Sequence, residues 1–444
     1  MKLPHKKLLA ASIAFSLVLP SVASATNGYF LIGYGTKSRG MGGVGVAYAQ
    51  DGLAAAYNPA GMIDLDDRFD VGGDLFMPER AVYHNSSALP ADAKSHGDFF
   101  PIPAMGGILK YSDDITLGFA IVGAGLGTDY DQPVSATQPS NLFNFNGNSS
   151  NQAGVRLYQM QMLPSIAYKI SDTHSVGVSL AVAMQTFRSE GLQSFEQSVL
   201  GYTAGQGGTS NEGWDWSFGG GFRIGWLGKF MNGDLQLGAN YSSRVYMSRF
   251  REYDNLFAEQ GDFDIPPITT IGLSYRAIPN FNIAFDVQYV QYEDIASIAN
   301  KGPVNSDPVS FFPENTGVLG LDNGMGFGWV NQTVYKLGVD YAVTPTLTVR
   351  AGLNYGETPI PDDQILFNML APATVERHIT FGATYQYASD IELSMSYMHA
   401  FKETITGKTV FYPDGVDNFE DLTEDNAAIS MSQNAIGFGV GIKF

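Results

Sequence analysis

Three glycines near the start of the chain have the spacing of a nucleotide-binding loop. Gly40, Gly42 and Gly45 form the pattern Gly-x-Gly-x-x-Gly, and Gly43 lies within it. In dinucleotide-binding folds this loop follows a hydrophobic strand, and its backbone amides hold a pyrophosphate. No hydrophobic strand of a βαβ unit precedes Gly40. We therefore expect these glycines to let the backbone pack closely against a wall of strands, and no nucleotide cofactor is predicted.

Catalytic and metal-binding side chains are sparse. The chain has 6 histidines, and none belongs to a His-Glu-x-x-His zinc motif. His378 and His399 could meet a serine as in a lipase, but the sequence does not place one beside them. The acidic runs Asp64–Asp67 and Asp262–Asp264 lack the full spacing of a calcium loop. No catalytic residue, metal site or cofactor is predicted.

The chain begins like a secretory signal peptide. A basic stretch at residues 2–7 precedes the apolar run Leu8–Leu19 and the small residues Ala23–Ala25. The apolar run is shorter than the ~20 residues of a spanning helix, which disfavours an N-terminal membrane anchor. We expect residues 1–25 to be removed near Ala25, so that the mature chain lies outside the cytoplasm.

The charge balance excludes one class of partner. The chain has 44 acidic and 25 basic residues, a net charge of −19. The leader carries only basic charges, so the rest of the chain is more acidic still. Such a chain is a poor candidate for binding nucleic acid, and its acids are expected to lie in solvated loops.

Later segments alternate between apolar and polar side chains. Phe281, Ile283 and Phe285 share one parity, whereas Asn282 and Asp286 share the other. This period of two is typical of a strand with one apolar and one polar face. The same pattern recurs at residues 215–226, 235–242 and 347–355. Alternation alone leaves a soluble β-sandwich open.

The connections between these strands favour a barrel. Turns of a few residues alternate with long polar connections, including 295–326 and 405–430, which are long enough to fold over a barrel mouth. This order is typical of an up-and-down transmembrane barrel. We predict an all-β fold, a transmembrane antiparallel β-barrel of about 14 strands over residues 67–444.

The last strand resembles an assembly signal. Ile436, Phe438, Val440 and Ile442 alternate up to a final Phe444. Such a strand is similar to the signal of bacterial outer-membrane barrels, which implies the barrel-assembly machinery as a partner through Phe444.

Several motifs resemble the outer-membrane long-chain fatty acid and aromatic hydrocarbon transporter family. The most specific are Gly40–Ala47 and Asn58–Met62. Further matches are Gly125–Leu126 with Thr128–Tyr130, Pro164–Lys169 and Ser396–His399. The resemblance implies a fourteen-strand barrel in the bacterial outer membrane, occupied by a small N-terminal hatch, or plug, at residues 26–66.

The resemblance also implies roles for particular residues. Asn58, Pro59 and Ala60 would anchor or gate the hatch, and the apolar N-terminal residues Tyr29, Phe30 and Leu31 would contact the ligand. The exit in that family is a gap in the barrel wall at strand three. Here that strand is Ile115–Gly127, whose glycines permit close approach or a bend: Gly118, Gly123, Gly125 and Gly127.

A carboxylate ligand would need a basic partner in an apolar lumen. By parity four cations face the interior: Arg223, Arg244, Lys336 and Arg350. Arg188 lies at the outer end of its strand. Inward acids such as Asp286 and Asp340 leave neutralised barrel networks as the alternative. The position of the family's carboxylate-binding arginine is not an arginine in this chain. It falls near Gly191, with Arg188 close by, and this departure from the family pattern counts against a fatty acid substrate.

These patterns together predict a passive outer-membrane channel for hydrophobic molecules, either long-chain fatty acids or aromatic hydrocarbons. The ligand would bind in an apolar lumen pocket and leave sideways into outer-membrane lipid, past lipopolysaccharide that excludes it from direct entry. The alternatives are a general porin, a surface receptor or adhesin that uses the long loops, and an outer-membrane hydrolase.

Overall fold

A computed structural model describes residues 27–84, 91–130, 141–144, 149–150, 152–196, 203, 207–302, 317–409 and 425–444. The predicted signal peptide, residues 1–25, lies outside these residues. Within them the strands are β1 Arg68–His84, β2 Ala91–Lys94, β3 Phe100–Lys110, β4 Ile115–Gly127, β5 Gly154–Lys169, β6 His174–Glu190, β7 Asp215–Phe230, β8 Leu235–Ser242, β9 Tyr246–Met247, β10 Ile268–Ile278, β11 Phe281–Val290, β12 Gln332–Thr344, β13 Leu347–Gly356, β14 Arg377–Ala388, β15 Ile391–Gly407 and β16 Ala427–Lys443.

The described strands form one closed sheet. β1 pairs with β16 from Arg68↔Lys443 to His84↔Ala427, and the other wall strands pair with their neighbours along the chain. β2 and β9 are short additions that pair with β1 and β7. The other fourteen strands make an antiparallel barrel, as the alternation predicts. Because such a wall has no free edge, most of its backbone groups find partners without water.

Side chains alternate between the two faces of the wall. Along β7, Phe218, Phe222 and Ile224 point outward with exposed fractions of 59%, 45% and 47%. Arg223 lies between them and is buried in the interior. An apolar outer band and a partly polar inner face are typical of a transmembrane barrel.

Short and long connections lie at opposite ends of the barrel. The short ones have two to four residues, such as 111–114 and 345–346. The long ones carry short helices: Gln193–Glu196, Ala258–Gly261, Tyr292–Asp294, Ala296–Ala299 and Ile365–Asn368. A further 3₁₀ turn, Met231–Gly233, belongs to a short connection. Among the described residues, no helix has both the length and the apolar character needed to span a membrane.

Residues 27–67, which we call the N-terminal segment, lie inside the barrel. They contain the helices Thr36–Arg39 and Ala54–Tyr57 and the 3₁₀ helix Pro59–Asp64. Almost every residue from 27 to 62 is buried. The segment contacts inward-facing side chains of strands on all sides, so the interior of this barrel is packed with its own chain.

Candidate functional site

Ten strands of the described wall each place one glycine against the N-terminal segment. A Cβ atom built on any of these glycines would lie within 3 Å of an atom of that segment. We call them the glycine belt: Gly106, Gly118, Gly177, Gly225, Gly238, Gly272, Gly338, Gly352, Gly382 and Gly439. Each belongs to a different strand. The segment therefore meets the wall at close range around most of its circumference.

The glycines of the Gly-x-Gly-x-x-Gly pattern lie at this interface. A Cβ on Gly352 would lie 2.1 Å from the backbone N of Gly42, and Gly40 meets Gly382 in the same way. Gly42 and Gly43 have φ angles of +70° and +85°, which a residue with a side chain rarely adopts. These glycines therefore form part of a tight packing surface between the N-terminal segment and the wall.

Buried polar side chains of the wall hold the backbone next to these glycines. Asp286 on β11 accepts hydrogen bonds from the amides of Gly45 and Val46, at 2.8 and 3.1 Å. The Nζ of Lys336 on β12 donates to the Ile32 carbonyl at 2.9 Å. Since an unpaired backbone group is costly inside a protein, these contacts fix the path of the segment.

Asn58, Pro59 and Ala60 form a tight junction with β6 and β7. The Asn58 amide donates to the carbonyls of Val46 and Trp226, at 2.8 and 2.9 Å. Its Oδ1 accepts from the Ala60 amide at 3.0 Å, which caps the 3₁₀ helix that begins at Pro59. One side chain therefore links two parts of the segment to the wall, and its predicted part in gating stays a prediction.

Ion pairs hold the helix Thr36–Arg39 against β1 and β15. Lys37 Nζ lies 2.6 Å from Glu392 Oε2, and Arg39 lies 3.0 Å from Asp74. Glu392 also pairs with Arg68 at 3.0 Å. All these side chains are buried, where removing one member of a pair leaves an uncompensated charge.

The other cations named from the sequence already have partners inside the protein. Arg223 donates to the Ala56 carbonyl and to Gln161, and Arg350 donates to Gln50 and Thr384. Two further cations form ion pairs, Arg188 with Glu190 and Arg244 with Asp264. A role for any of them as the partner of a ligand carboxylate remains a prediction.

Tyr29 and Phe30 lie in an aromatic cluster near the end with long connections. Their ring centroids are 4.4 Å apart, and Tyr29 also meets Tyr292 at 5.9 Å and Trp329 at 6.3 Å. Burial raises the pKa of the Tyr29 and Tyr292 phenols well above the ordinary value, so the cluster carries no phenolate charge. Leu31 packs elsewhere, in a cluster that contains Phe100 and Ile102 of β3.

Two cavities adjoin this part of the lumen. One of ≈500 Å³ is lined almost entirely by apolar side chains, among them Phe187, Phe195, Phe257 and Phe327. The other, of ≈300 Å³, lies beside Tyr29 and Trp329. Concave apolar space with few polar groups is typical of sites for small hydrophobic ligands.

The pairing of β4 changes along its length. β4 pairs with β5 throughout, from Ile115 to Gly127, but its register with β3 runs only from Thr116 to Ile121. Among the described residues, Phe100–Ala104 of β3 therefore have no ladder partner on β4, although they pair with β1.

The four glycines predicted for this strand divide between two environments. Gly118 belongs to the glycine belt and lies against Met62. The other three lie in the part of β4 without ladder pairing to β3: Gly123, Gly125 and Gly127. A Cβ on Gly123 would lie 3.8 Å from Ile102 Cγ2, and one on Gly127 would lie 3.6 Å from Phe100 Cε1.

Two features of this region are absent from the sequence-based predictions. The first is Arg80 on β1, which is buried and lines the ≈300 Å³ cavity. The second is the run Phe100-Pro101-Ile102-Pro103 at the start of β3. Proline is confined to strand edges and bulges, so two prolines at alternate positions of a wall strand are a signal that could have marked an interrupted ladder.

The described residues offer no arrangement typical of catalysis. No group of three or more His, Asp or Glu side chains among them could hold a metal ion. His378 is buried in the wall, and His399 forms a hydrogen bond of 3.0 Å with Asn434.

Comparison with known proteins identifies the chain. Residues 19–444 match a family model described as outer membrane protein transport protein (OMPP1/FadL/TodX). The fold is similar to that of the toluene transporter TodX of Pseudomonas putida, with 19% identity, a TM-score of 0.66, and coverage of 94% of this chain and 99% of that one.

Two further solved structures share the fold. A FadL homologue of Pseudomonas aeruginosa has 15% identity and a TM-score of 0.67, with 94% and 100% of the two chains covered. The toluene transporter TbuX of Ralstonia pickettii has 17% identity and a TM-score of 0.62, with 93% and 99% covered. A search of curated proteins gives no match. The chain therefore belongs to the OMPP1/FadL/TodX family of outer membrane transport proteins, and its barrel lies in the outer membrane.

Proposed function

We propose that this protein is a passive channel that takes up hydrophobic molecules and releases them sideways, through an opening between β3 and β4, into the membrane. The observation that carries the proposal is the interrupted pairing of these strands. Most other wall strands are joined by longer ladders, such as β1 with β16 along their full length. Where the ladder between β7 and β8 ends at Arg223, the short strand β9 continues the pairing with β7 at Gly219 and Gly220. An opening in the wall next to an apolar interior gives a ligand a path that avoids water.

The sequence of β3 explains why the ladder stops. Continuing its register with β4 beyond Met105↔Ile121 would place Pro103 opposite Gly123 and Pro101 opposite Gly125. Proline has no N–H to donate, so the two strands lose donors at alternate positions.

The position of β4 also supports an opening. Gly123 has the outward parity of Leu117, whereas Ile102 points into the lumen from β3. A Cβ built on Gly123 would lie 3.8 Å from Ile102 Cγ2, which supports an inward position of this end of β4 relative to its neighbour. The side chains of Ile102 and Phe100 then fill the space where backbone pairing is missing, as a closed gate would.

The interior connects this gate to the N-terminal segment. Phe100 and Ile102 pack with Leu31 and Ile32 in one apolar cluster, next to the aromatic cluster around Tyr29. A ligand that entered the cavities from the long-connection end would meet Tyr29 first and the gate afterwards. Movement of residues 29–32 is the event that would couple binding to release.

Physical chemistry favours this route over a water-filled pore. Moving apolar surface into water costs about 25 cal/mol per Å². The N-terminal segment and the glycine belt occupy the middle of the barrel, which disfavours a direct path along its axis. Sideways release keeps an apolar ligand in apolar surroundings throughout.

A reversible lock across the gate tests the proposal. The chain has no cysteine, so the double substitution Ile102→Cys with Gly123→Cys introduces the only pair. A Cβ built on Gly123 lies 3.8 Å from Ile102 Cγ2, so the two Cβ atoms are at most one C–C bond further apart than this contact, close to the separation of about 3.5–4.5 Å that a disulfide needs. Oxidised protein in liposomes is expected to lose uptake of toluene and hexadecanoic acid, and reduction is expected to restore it.

Each single-cysteine variant is the matched control and should transport under both conditions. Cross-linking is verified by loss of free thiols, and folding by the heat-dependent electrophoretic mobility of the barrel. Uptake at the wild-type rate by fully cross-linked protein would refute sideways release.

A further inference from the structure

We infer that Arg80 forms a binding site for an anionic head group, so that the preferred cargo is an apolar molecule with a carboxylate at one end. This inference rests on the proposed channel function and names the chemical class of its cargo. Arg80 lies on the inner face of β1, in the half nearer the long connections, and only 5% of it is exposed.

The guanidinium of Arg80 has few partners. One terminal nitrogen donates to the Gly97 carbonyl at 3.0 Å, and the group lies 5.5 Å from the centre of the Phe100 ring. Its Nε is buried and makes no hydrogen bond. Among the described residues, it is the only arginine or lysine side-chain nitrogen that is buried without a hydrogen-bond partner.

Other buried cations of the described interior are engaged. Lys37, Arg39 and Arg68 form ion pairs with buried carboxylates. Arg223 and Lys336 donate to backbone carbonyls of the N-terminal segment. No ion pair joins Arg80 to a carboxylate of the described residues, although the charge of the exposed Asp98 acts on it. A buried charge without a directly paired counter-ion is costly.

The surroundings of Arg80 define what could pair with it. It lines the ≈300 Å³ cavity together with Tyr29, Leu126, Trp329, Leu370 and Met431. One planar donor fork in an apolar cavity suits a carboxylate, because guanidinium and carboxylate groups match in geometry. The rest of the ligand would then lie against apolar side chains.

The position of Arg80 relates it to the gate. Phe100 contacts both Arg80 and the end of β4, since a Cβ on Gly127 would lie 3.6 Å from the Phe100 ring. A carboxylate that binds Arg80 competes with the Phe100 ring for the same cation. Ligand binding at this site therefore acts directly on a side chain that fills the opening.

The test compares two ligands with the same tail, hexadecanoic acid and hexadecanol. Binding to the full-length barrel is followed through the fluorescence of Trp329, which lines the same cavity, with Trp329→Phe as the signal blank. Wild-type protein is expected to bind the acid roughly 10- to 100-fold more tightly than the alcohol, as for one charged hydrogen-bonded pair. Arg80→Gln is expected to bring this ratio close to one, and Arg80→Lys to recover part of it.

Arg377→Gln is the matched control, because Arg377 is an exposed arginine paired with Glu403 at the end of β14. It should keep the wild-type ratio. A ratio that is unchanged in folded Arg80→Gln protein overturns the assignment of Arg80. If wild-type protein binds and transports both ligands equally, the channel proposal stands and the preference for acids fails. If it takes up toluene but neither of these ligands, the channel proposal stands and the inference about Arg80 fails; if it takes up none of the three, the channel proposal itself fails.

Discussion

At the scale of residues, the glycine belt shows that the absence of a side chain can be required for packing, just as a particular side chain can. A Cβ at Gly352 would meet three backbone atoms of Met41 and Gly42, at 2.1, 2.2 and 2.8 Å. Backbone cannot rotate away as a side chain can, so the N-terminal segment must shift. Gly352→Ala is therefore expected to destabilise the folded protein by about 1–3 kcal/mol.

Gly220→Ala is the matched control for this substitution. Gly220 lies on β7, and the nearest atom to its built Cβ is 3.9 Å away. The half-life of the folded band at a fixed high temperature measures both variants. Equal half-lives for the two would mean that the segment is not held tightly against β13.

Single residues also show where strand parity predicts an inward side chain and where it does not. Strand parity places Arg223 and Lys336 inside because their neighbours alternate cleanly. Arg80 has the same inward parity on β1, but Phe76 and Val82 share its face. The lumen is apolar at that level, so both faces of β1 carry apolar side chains. The alternation therefore does not predict that Arg80 points inward.

At the scale of elements, the long connection between β8 and β10 contains a titratable contact. Asp262 pairs with Arg244 at 3.4 Å but lies close to Asp264, with Glu259 and Arg249 also nearby. Burial, followed by the charge of Asp264, raises the pKa of Asp262 from 3.8 to about 6. Protonated Asp262 therefore stabilises the folded connection below pH 3.8, and this contribution is lost as the pH rises through 6.

Asp262→Asn removes that titration and is expected to slow amide hydrogen exchange in residues 243–267 at pH 8. At pH 5 the variant and the wild type should exchange more nearly alike, because Asp262 is then largely protonated. Comparison at each pH separately cancels the intrinsic pH dependence of exchange. A difference of the same size at both pH values would contradict the sign of the shift.

Elements are also where the sequence predicts most of this fold. Turn residues mark the connections 111–114 and 345–346, and the alternation marks the strands between them. The interrupted ladder is harder to foresee, because pairing between β3 and β4 depends on donors from both strands. Pro101 and Pro103 reveal it only once the register of the two strands is known.

At the scale of the whole molecule, the N-terminal segment separates this barrel from an open pore. Intact protein in liposomes is expected to exclude small sugars in a swelling assay, since the segment fills the lumen. A variant without residues 27–62 should admit them, because the fourteen wall strands pair with one another and not through the segment.

Heat-dependent mobility shows whether the shortened chain still forms a barrel. If it does not, Asn58→Ala is the second variant, since it removes the hydrogen bonds to Val46 and Trp226 and should raise sugar leakage. Free passage of sugars through the intact protein would favour a general porin.

The seam between β1 and β16 has a consequence for the order of events during assembly. The N-terminal segment leads directly into β1, and its contacts with the glycine belt reach strands far along the chain, such as β13 and β14. A finished wall would have to admit some forty residues through one mouth and pack them around a full circle. We expect instead that the strands assemble around the N-terminal segment and that β1 and β16 pair last. The barrel would then enclose its own N-terminus before it binds any ligand.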